Sequence, residues 1–200
     1  MILHRSPLLL ASIMLCATAP GWRLASASVV ACRGAIGKAA SHYAQARLTA
    51  LAKCEDRVVA GVLPAVTDCE LEVRTAVVLA KAAGKLGRTI TKACGGGDQV
   101  CGAGGDDQSL AAIGWNLGAC PDVSSRGCTT PIADCDDVRT CVQCTADAST
   151  DALRGFAFDP LDLSSPPAST LERCQRTFGK ETAKAANASA KVLQKCWQRV

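Results

Sequence analysis

Four cysteines constrain this chain more than any other feature. Cys32 and Cys54 stand 22 residues apart within one Ala- and Val-rich helical pattern, and Cys69 and Cys94 stand 25 apart within a second. At 100° per residue, a 22-residue step leaves the two thiols about 40° apart around a helix but roughly 33 Å apart along it. Neither pair can close on itself, so each cysteine needs a partner on a facing helix. In an antiparallel hairpin, facing residues have nearly constant summed numbers. Cys54 with Cys69 gives 123 and Cys32 with Cys94 gives 126, both placing the turn at residues 62 to 63. The helix breakers Gly61 and Pro64 flank that point. The spacing therefore predicts a helical hairpin closed by Cys54–Cys69 and Cys32–Cys94. The two loops would stabilise it by about 3 and about 4 kcal/mol in the chain-entropy description.

Thirteen cysteines in 200 residues need an oxidising compartment, and the N-terminus supplies the route to one. His4 and Arg5 precede an apolar run from Leu8 to Ala19, and Ala25-Ser26-Ala27 is a small-x-small cleavage site, so residues 1–27 read as a secretory signal peptide. Leu15 stands where a lipoprotein acylation site before Cys16 would need a small residue. Cleavage after Ala27 leaves twelve cysteines, enough for six bridges: Cys32, Cys54, Cys69, Cys94, Cys101, Cys120, Cys128, Cys135, Cys141, Cys144, Cys174 and Cys196. No later stretch has the roughly 18 apolar residues of a membrane span. A secreted or periplasmic location follows as the expectation.

The remaining periodicity predicts an all-α chain. Residues 28–97 form the hairpin, with Ser28 as N-cap and Ile36, Ala40, Tyr43, Leu48, Leu51, Cys54, Val58 and Val62 on the buried stripe of its first helix. Thr67 and Glu70 have the spacing of a capping box for the second helix. Its stripe would carry Val73, Ala76, Val77, Ala80 and Ile90, with Gly84 and Gly87 for close approach and Gly95-Gly96-Gly97 as the stop. Residues 98–168 read as an Asp/Gly/Cys-rich loop with one short helix, about 134–154, capped by Asp134, turning Val138, Cys141, Val142, Thr145 and Leu153 inward, and closed by Gly155. Ser164-Ser165-Pro166-Pro167 is a linker, and Ser169-x-x-Glu172 opens a last helix over 169–200.

That last helix repeats the first. Cys174 and Cys196 reproduce the 22-residue step, and an ungapped alignment with 32–54 matches eight of 23 positions, among them Gly37/Gly179, Lys38/Lys180 and Leu51/Leu193. The first repeat continues into a turn and a second helix. The last would either pair with the acidic middle of the chain or belong to a longer protein. Charge is segregated along the chain: ten Lys/Arg against five acids over 28–94, three against eleven over 95–170, and seven against two over 171–200. The expectation is that the acidic segment lies against the basic helices. An exported chain with few aromatics is not a nucleic-acid binder, which leaves an envelope or extracellular partner of unknown chemistry.

Cys32 to Lys53-Cys54, Lys92-Ala93-Cys94, Cys120-Pro121 and Cys141-Val142-Gln143-Cys144 together resemble a loose group of uncharacterised, cysteine-rich exported bacterial proteins with Ala/Lys-rich helical-hairpin repeats. The resemblance covers most of the chain after the signal. It implies export and a helical cysteine framework, and it implies no activity.

Candidate chemistry is sparse, and no cofactor is implied. Cys141-x-x-Cys144 has redox or half-zinc spacing. It lacks the surrounding strand–helix alternation of a redox fold, and Thr145 stands where a haem attachment needs histidine, so structural disulfides are the expectation. After the signal, His42 is the remaining histidine, with no acid beside it in sequence. A hydrolase would have to draw on Asp106, Asp107, Asp134, Asp136, Asp137, Asp147 or Asp151, and aspartates at helix starts and in Gly-rich turns already have a structural explanation. The loop carrying Asp98, Asp106 and Asp107 is oxygen-rich, and these are the candidate ligands for a weak calcium site, although EF-hand spacing is absent. The leading reading is an exported, non-catalytic structural or binding module. An extracellular calcium binder is the alternative and a carboxylate hydrolase the third.

Overall fold

The structure is a computed structural model that describes residues 28–102, 105–122, 126–158 and 169–197, apart from the side chains of residues 169, 193, 194, 196 and 197. The signal segment 1–27 and the linker 164–167 lie outside the described residues, as does the side chain of Cys196. Among the described residues the fold is all-α, with five helices and no strand. These are α1 (Val29–Val59), α2 (Val73–Cys94), α3 (Leu110–Ile113), α4 (Cys135–Phe158) and α5 (Ser169–Trp197).

α1 is the central rod and touches each of the other four. Ser28 caps it, its hydroxyl accepting from the Ala31 amide at 3.1 Å. It stops at Val59, and Gly61 turns the chain at φ +69°, a left-handed conformation glycine adopts without a Cβ penalty. The predicted clamps form: Cys54 bonds Cys69 near the turn and Cys32 bonds Cys94 at the far end. Val62 lies past the helix end and is exposed, unlike the rest of the predicted α1 stripe.

The start and the face of α2 differ from expectation. Residues 67–72 are turn and bend, and Glu72, not Thr67, caps the helix, its carboxylate accepting from the Thr75 amide at 2.8 Å. The Thr67/Glu70 box fails because its groups have other partners. The Glu70 amide donates to Asp68 Oδ1 at 2.9 Å, and the Glu70 carboxylate reaches Arg47 on α1. The buried face carries Thr75, Leu86, Ile90 and Cys94, whereas Val73 and Val77 are 77% and 48% exposed and Ala80 is exposed as well. With Cys94 tied to Cys32, counting back from it by turns selects Ile90 and Leu86, and the Val73/Val77 side rotates outward. Gly87 has the predicted packing role, since a Cβ there would lie 3.0 Å from Arg139 of α4.

The middle segment is stitched onto α4. Cys101 bonds Cys135, Cys120 bonds Cys141 and Cys128 bonds Cys144, so both cysteines of the C-x-x-C step point at the loop and are consumed in structural bridges. Within the loop, Leu110–Ile113 makes a single helical turn capped by Ser109. Asp134 caps α4 as predicted, its Oδ1 accepting from the amides of Asp136 and Asp137. Gly155 does not end α4. The helix runs on to Phe158 because Ala157 and Phe158 are buried against Val59 and Ala52 of α1. α5 lies along α1 and α4, with Gly179 against the ring of Phe158. Cys174 corrects the expected list of bridged cysteines: among the described residues it is free and exposed, standing on the outer side of α5 with no described cysteine opposite.

Candidate functional site

Two features stand out above the packing, and they meet at Tyr43. The first is a polar cluster between α1 and α4. Arg47 is only 5% exposed, so its guanidinium must be paired to be tolerated there. It reaches Asp151 at 2.7 Å, Glu70 at 2.8 Å and Asp147 at 3.2 Å, and it donates to the Thr150 hydroxyl at 2.9 Å. Arg126 closes the far side of Asp151. The Tyr43 hydroxyl donates to Asp147 Oδ1 at 2.6 Å. Burial pushes the Asp147 carboxyl above its usual range, against the pull of Tyr43 and Arg47. Burial, reinforced by the Asp147 carboxylate, pushes the Tyr43 phenol well above its own. Arg154–Glu55 at 3.0 Å braces the same two helices, and Arg57–Glu72 at 3.3 Å ties α1 to the cap of α2.

The second feature is an open groove of about 740 Å³ between α1 and α2. Its floor is apolar, formed by Ala39, Ala46, Ala50, Ala82 and Leu86 together with the ring of Tyr43. Its rim carries Lys38, Lys53, Lys85 and His42, all exposed, and among the described residues no acid lines it. The groove exists because alanines occupy the facing positions of both helices midway between the two disulfides. The clamps hold the helices at fixed separation at each end, and small side chains leave the middle unfilled. Such a surface can take an anionic head at the rim and an apolar body along the floor.

The residues singled out from the sequence fall elsewhere. Asp98 Oδ1 accepts from the Val100 amide at 2.8 Å, Asp106 Oδ2 from Gly97 at 2.5 Å and Asp107 Oδ2 from Gly102 at 2.7 Å, so each spends an oxygen on fixing its own loop. Among the described residues, no group of three or more His, Cys, Asp and Glu side chains is placed to hold a metal ion. Asp136 is tied to Arg139 at 2.7 Å, which holds its carboxyl below the usual range, and Asp137 accepts from the Ala133 amide at 2.8 Å. Asp147 and Asp151 belong to the Arg47 cluster. The sequence reading missed Arg47, whose partners on α4 are about a hundred positions away, and it missed the three rim lysines. Their spacing of 15 residues from Lys38 to Lys53 on α1 was the available signal.

No protein-family model matches the chain, and neither the curated proteins nor the solved structures contain a match to it.

Proposed function

We propose that this chain is an exported, non-catalytic binding module, and that the α1–α2 groove is its binding surface for an anionic amphiphile, a carboxylate or phosphate carried on an alkyl or aryl body. The observation that carries this reading is the rim of three lysines and a histidine, with no acid among the described lining residues, above a floor of alanines, Leu86 and the Tyr43 ring. Export is supported by the five disulfides and by the leader-like first 27 residues. None of the described helices is long and apolar enough to cross a membrane. The non-catalytic part rests on the state of the acids: the candidate carboxylates at the start of α4 act as caps and ion-pair partners, and those further along are neutralised by arginine.

Titration calorimetry with palmitate and with hexadecanol tests the surface. Palmitate should bind and the alcohol should bind at least tenfold more weakly. Lys38→Glu combined with Lys85→Glu should weaken palmitate by a further tenfold or more, roughly 1.4 kcal/mol, without changing the melting temperature in its absence. Equal affinity for acid and alcohol, or no binding of either, removes the groove from the account.

A further inference from the structure

The outward face of α2 is a row of cations at a regular step. Arg74, Val78, Lys81, Lys85, Arg88 and Lys92 follow one another at intervals of four, three, four, three and four residues, the recurrence that keeps positions on one side of a helix. All six are exposed. The side chains that α2 buries, Thr75, Leu86, Ile90 and Cys94, lie off this row, and Gly87 is covered by Arg139 of α4. The row spans roughly 27 Å, and five of its six rungs carry a positive charge. The segment Val73–Cys94 contains no Asp or Glu. Among the described residues, none of the five cations has a carboxylate within ion-pair distance. Lys38 and Lys53 of α1 extend the field, since they line the same groove as Lys85.

The surrounding acids leave this face basic. In the turn before α2, Glu70 is held by Arg47 and Glu72 by Arg57, while the exposed Asp68 accepts from the Glu70 amide. Past the C-terminal end of α2, the exposed Asp98 and Asp106 accept from the amides of Val100 and Gly97. On α4, Asp136 is paired with the same Arg139 that covers Gly87. These acids stand at the two ends and on the α4 side, and none interrupts the row.

The turn end of α2 is aliphatic as well as cationic. Val73, Val77 and Val78 are exposed next to Arg74, and the preceding turn adds Val62, Val66 and Leu71, of which Val66 is 93% exposed. Folding leaves this apolar surface in water at one end of the basic row.

We propose that α2 is a docking face for an anionic lipid bilayer, with the cationic row along the headgroup phosphates and the aliphatic turn in the interfacial layer. A negatively charged leaflet attracts clustered Lys and Arg near its surface, and aliphatic side chains gain by leaving water there. A soluble polyanion would complement the row equally, but it offers nothing to Val62, Val66, Leu71 and Val73. The pairing of cations with aliphatics therefore selects the bilayer. Attachment is peripheral, since none of the described helices is long and apolar enough to cross a membrane. It is also separate from the ligand of the groove, because Arg74, Lys81, Arg88 and Lys92 do not line that groove.

Cosedimentation of the full, oxidised chain with vesicles tests this face. Vesicles of phosphatidylcholine containing one quarter phosphatidylglycerol should bind the protein, and vesicles of phosphatidylcholine alone should bind it at least tenfold more weakly. At about 1 M salt, where the Debye length is about 3 Å, that difference should vanish. Lys81→Gln, Arg88→Gln and Lys92→Gln together should weaken binding to the anionic vesicles about a hundredfold, at roughly fivefold per cation. The same triple variant should keep its palmitate affinity and its melting temperature, which separates this face from the groove. Val66→Ser with Leu71→Ser, which keeps every charge, should weaken vesicle binding at least threefold. Equal binding to both kinds of vesicle, or undiminished binding by either variant, would overturn the proposal. So would failure to bind any vesicle, including the case in which soluble heparin is held instead.

Discussion

At the scale of single residues, Tyr43 and Arg47 carry the account. Tyr43 is the chain's one tyrosine, so its absorbance at 295 nm reports on that phenol alone. Burial and the Asp147 carboxylate favour the neutral ring, so the folded protein keeps this proton above the ordinary phenol pKa of about 10. The folded state then binds more protons than the unfolded state above that value. The stabilisation is whole below it and drains away as pH rises. In an alkaline titration the tyrosinate signal should appear only together with loss of helical circular dichroism; a phenol that ionises near pH 10 in the intact fold would contradict the Tyr43–Asp147 geometry. Arg47→Met removes a buried cation and leaves Asp147 and Asp151 short of a partner, so a loss of about 3 kcal/mol in denaturant unfolding is expected. None of this cluster could be read from sequence. Arg47 sits in a helix that reads as apolar and basic, and nothing local marks which of eleven distant acids it meets.

At the scale of helices, the α1–α2 ladder was legible because it follows from counting alone: constant sums fix both the partners and the turn. The face of α2 was not, because Val and Ala fill seven of the eleven positions from Val73 to Ala83 and several stripes fit equally well. The bridge at Cys94 decides the rotation, and it favours Leu86 and Ile90 over Val73 and Val77. The capping-box reading failed for a similar reason, since a pattern of two residues cannot register that Arg47 competes for Glu70. Glu72 took the cap instead. Hydrogen bonds from the Thr75 side chain and amide hold its carboxyl down to about 2. A lowered folded pKa contributes stability that is complete above the unfolded value of about 4.3 and is lost as pH falls towards the folded one. Glu72→Ala should therefore lower the melting temperature near pH 6 and flatten its decline between about pH 5 and pH 2; an acid limb unchanged by the substitution would remove Glu72 from the cap. The extension of α4 past Gly155 was illegible as well, because it depends on Ala157 and Phe158 finding Val59 on another helix.

At the scale of the whole molecule, sulfur compensates for a thin core. The helices are rich in alanine, and the buried set divides into a main cluster spanning the Cys32–Cys94 end and two small ones nearer the turn. A chain that buries few large side chains per residue relies on cross-links to limit its unfolded ensemble. The segregation of charge is resolved only in part as expected. Arg47 of α1 does meet Asp147 and Asp151 of the acidic segment, but the acids of the Gly-rich loop face their own backbone. The same clamps that hold α1 and α2 apart at both ends make the groove between them, so fold and proposed function rest on one set of bonds.

Peptide mapping of the oxidised protein without reduction tests that set most directly. The account predicts 32 joined to 94, 54 to 69, 101 to 135, 120 to 141 and 128 to 144. Peptides joining Cys32 or Cys54 to any cysteine of the middle segment, or carrying either as a free thiol, would contradict the clamped hairpin and with it the groove.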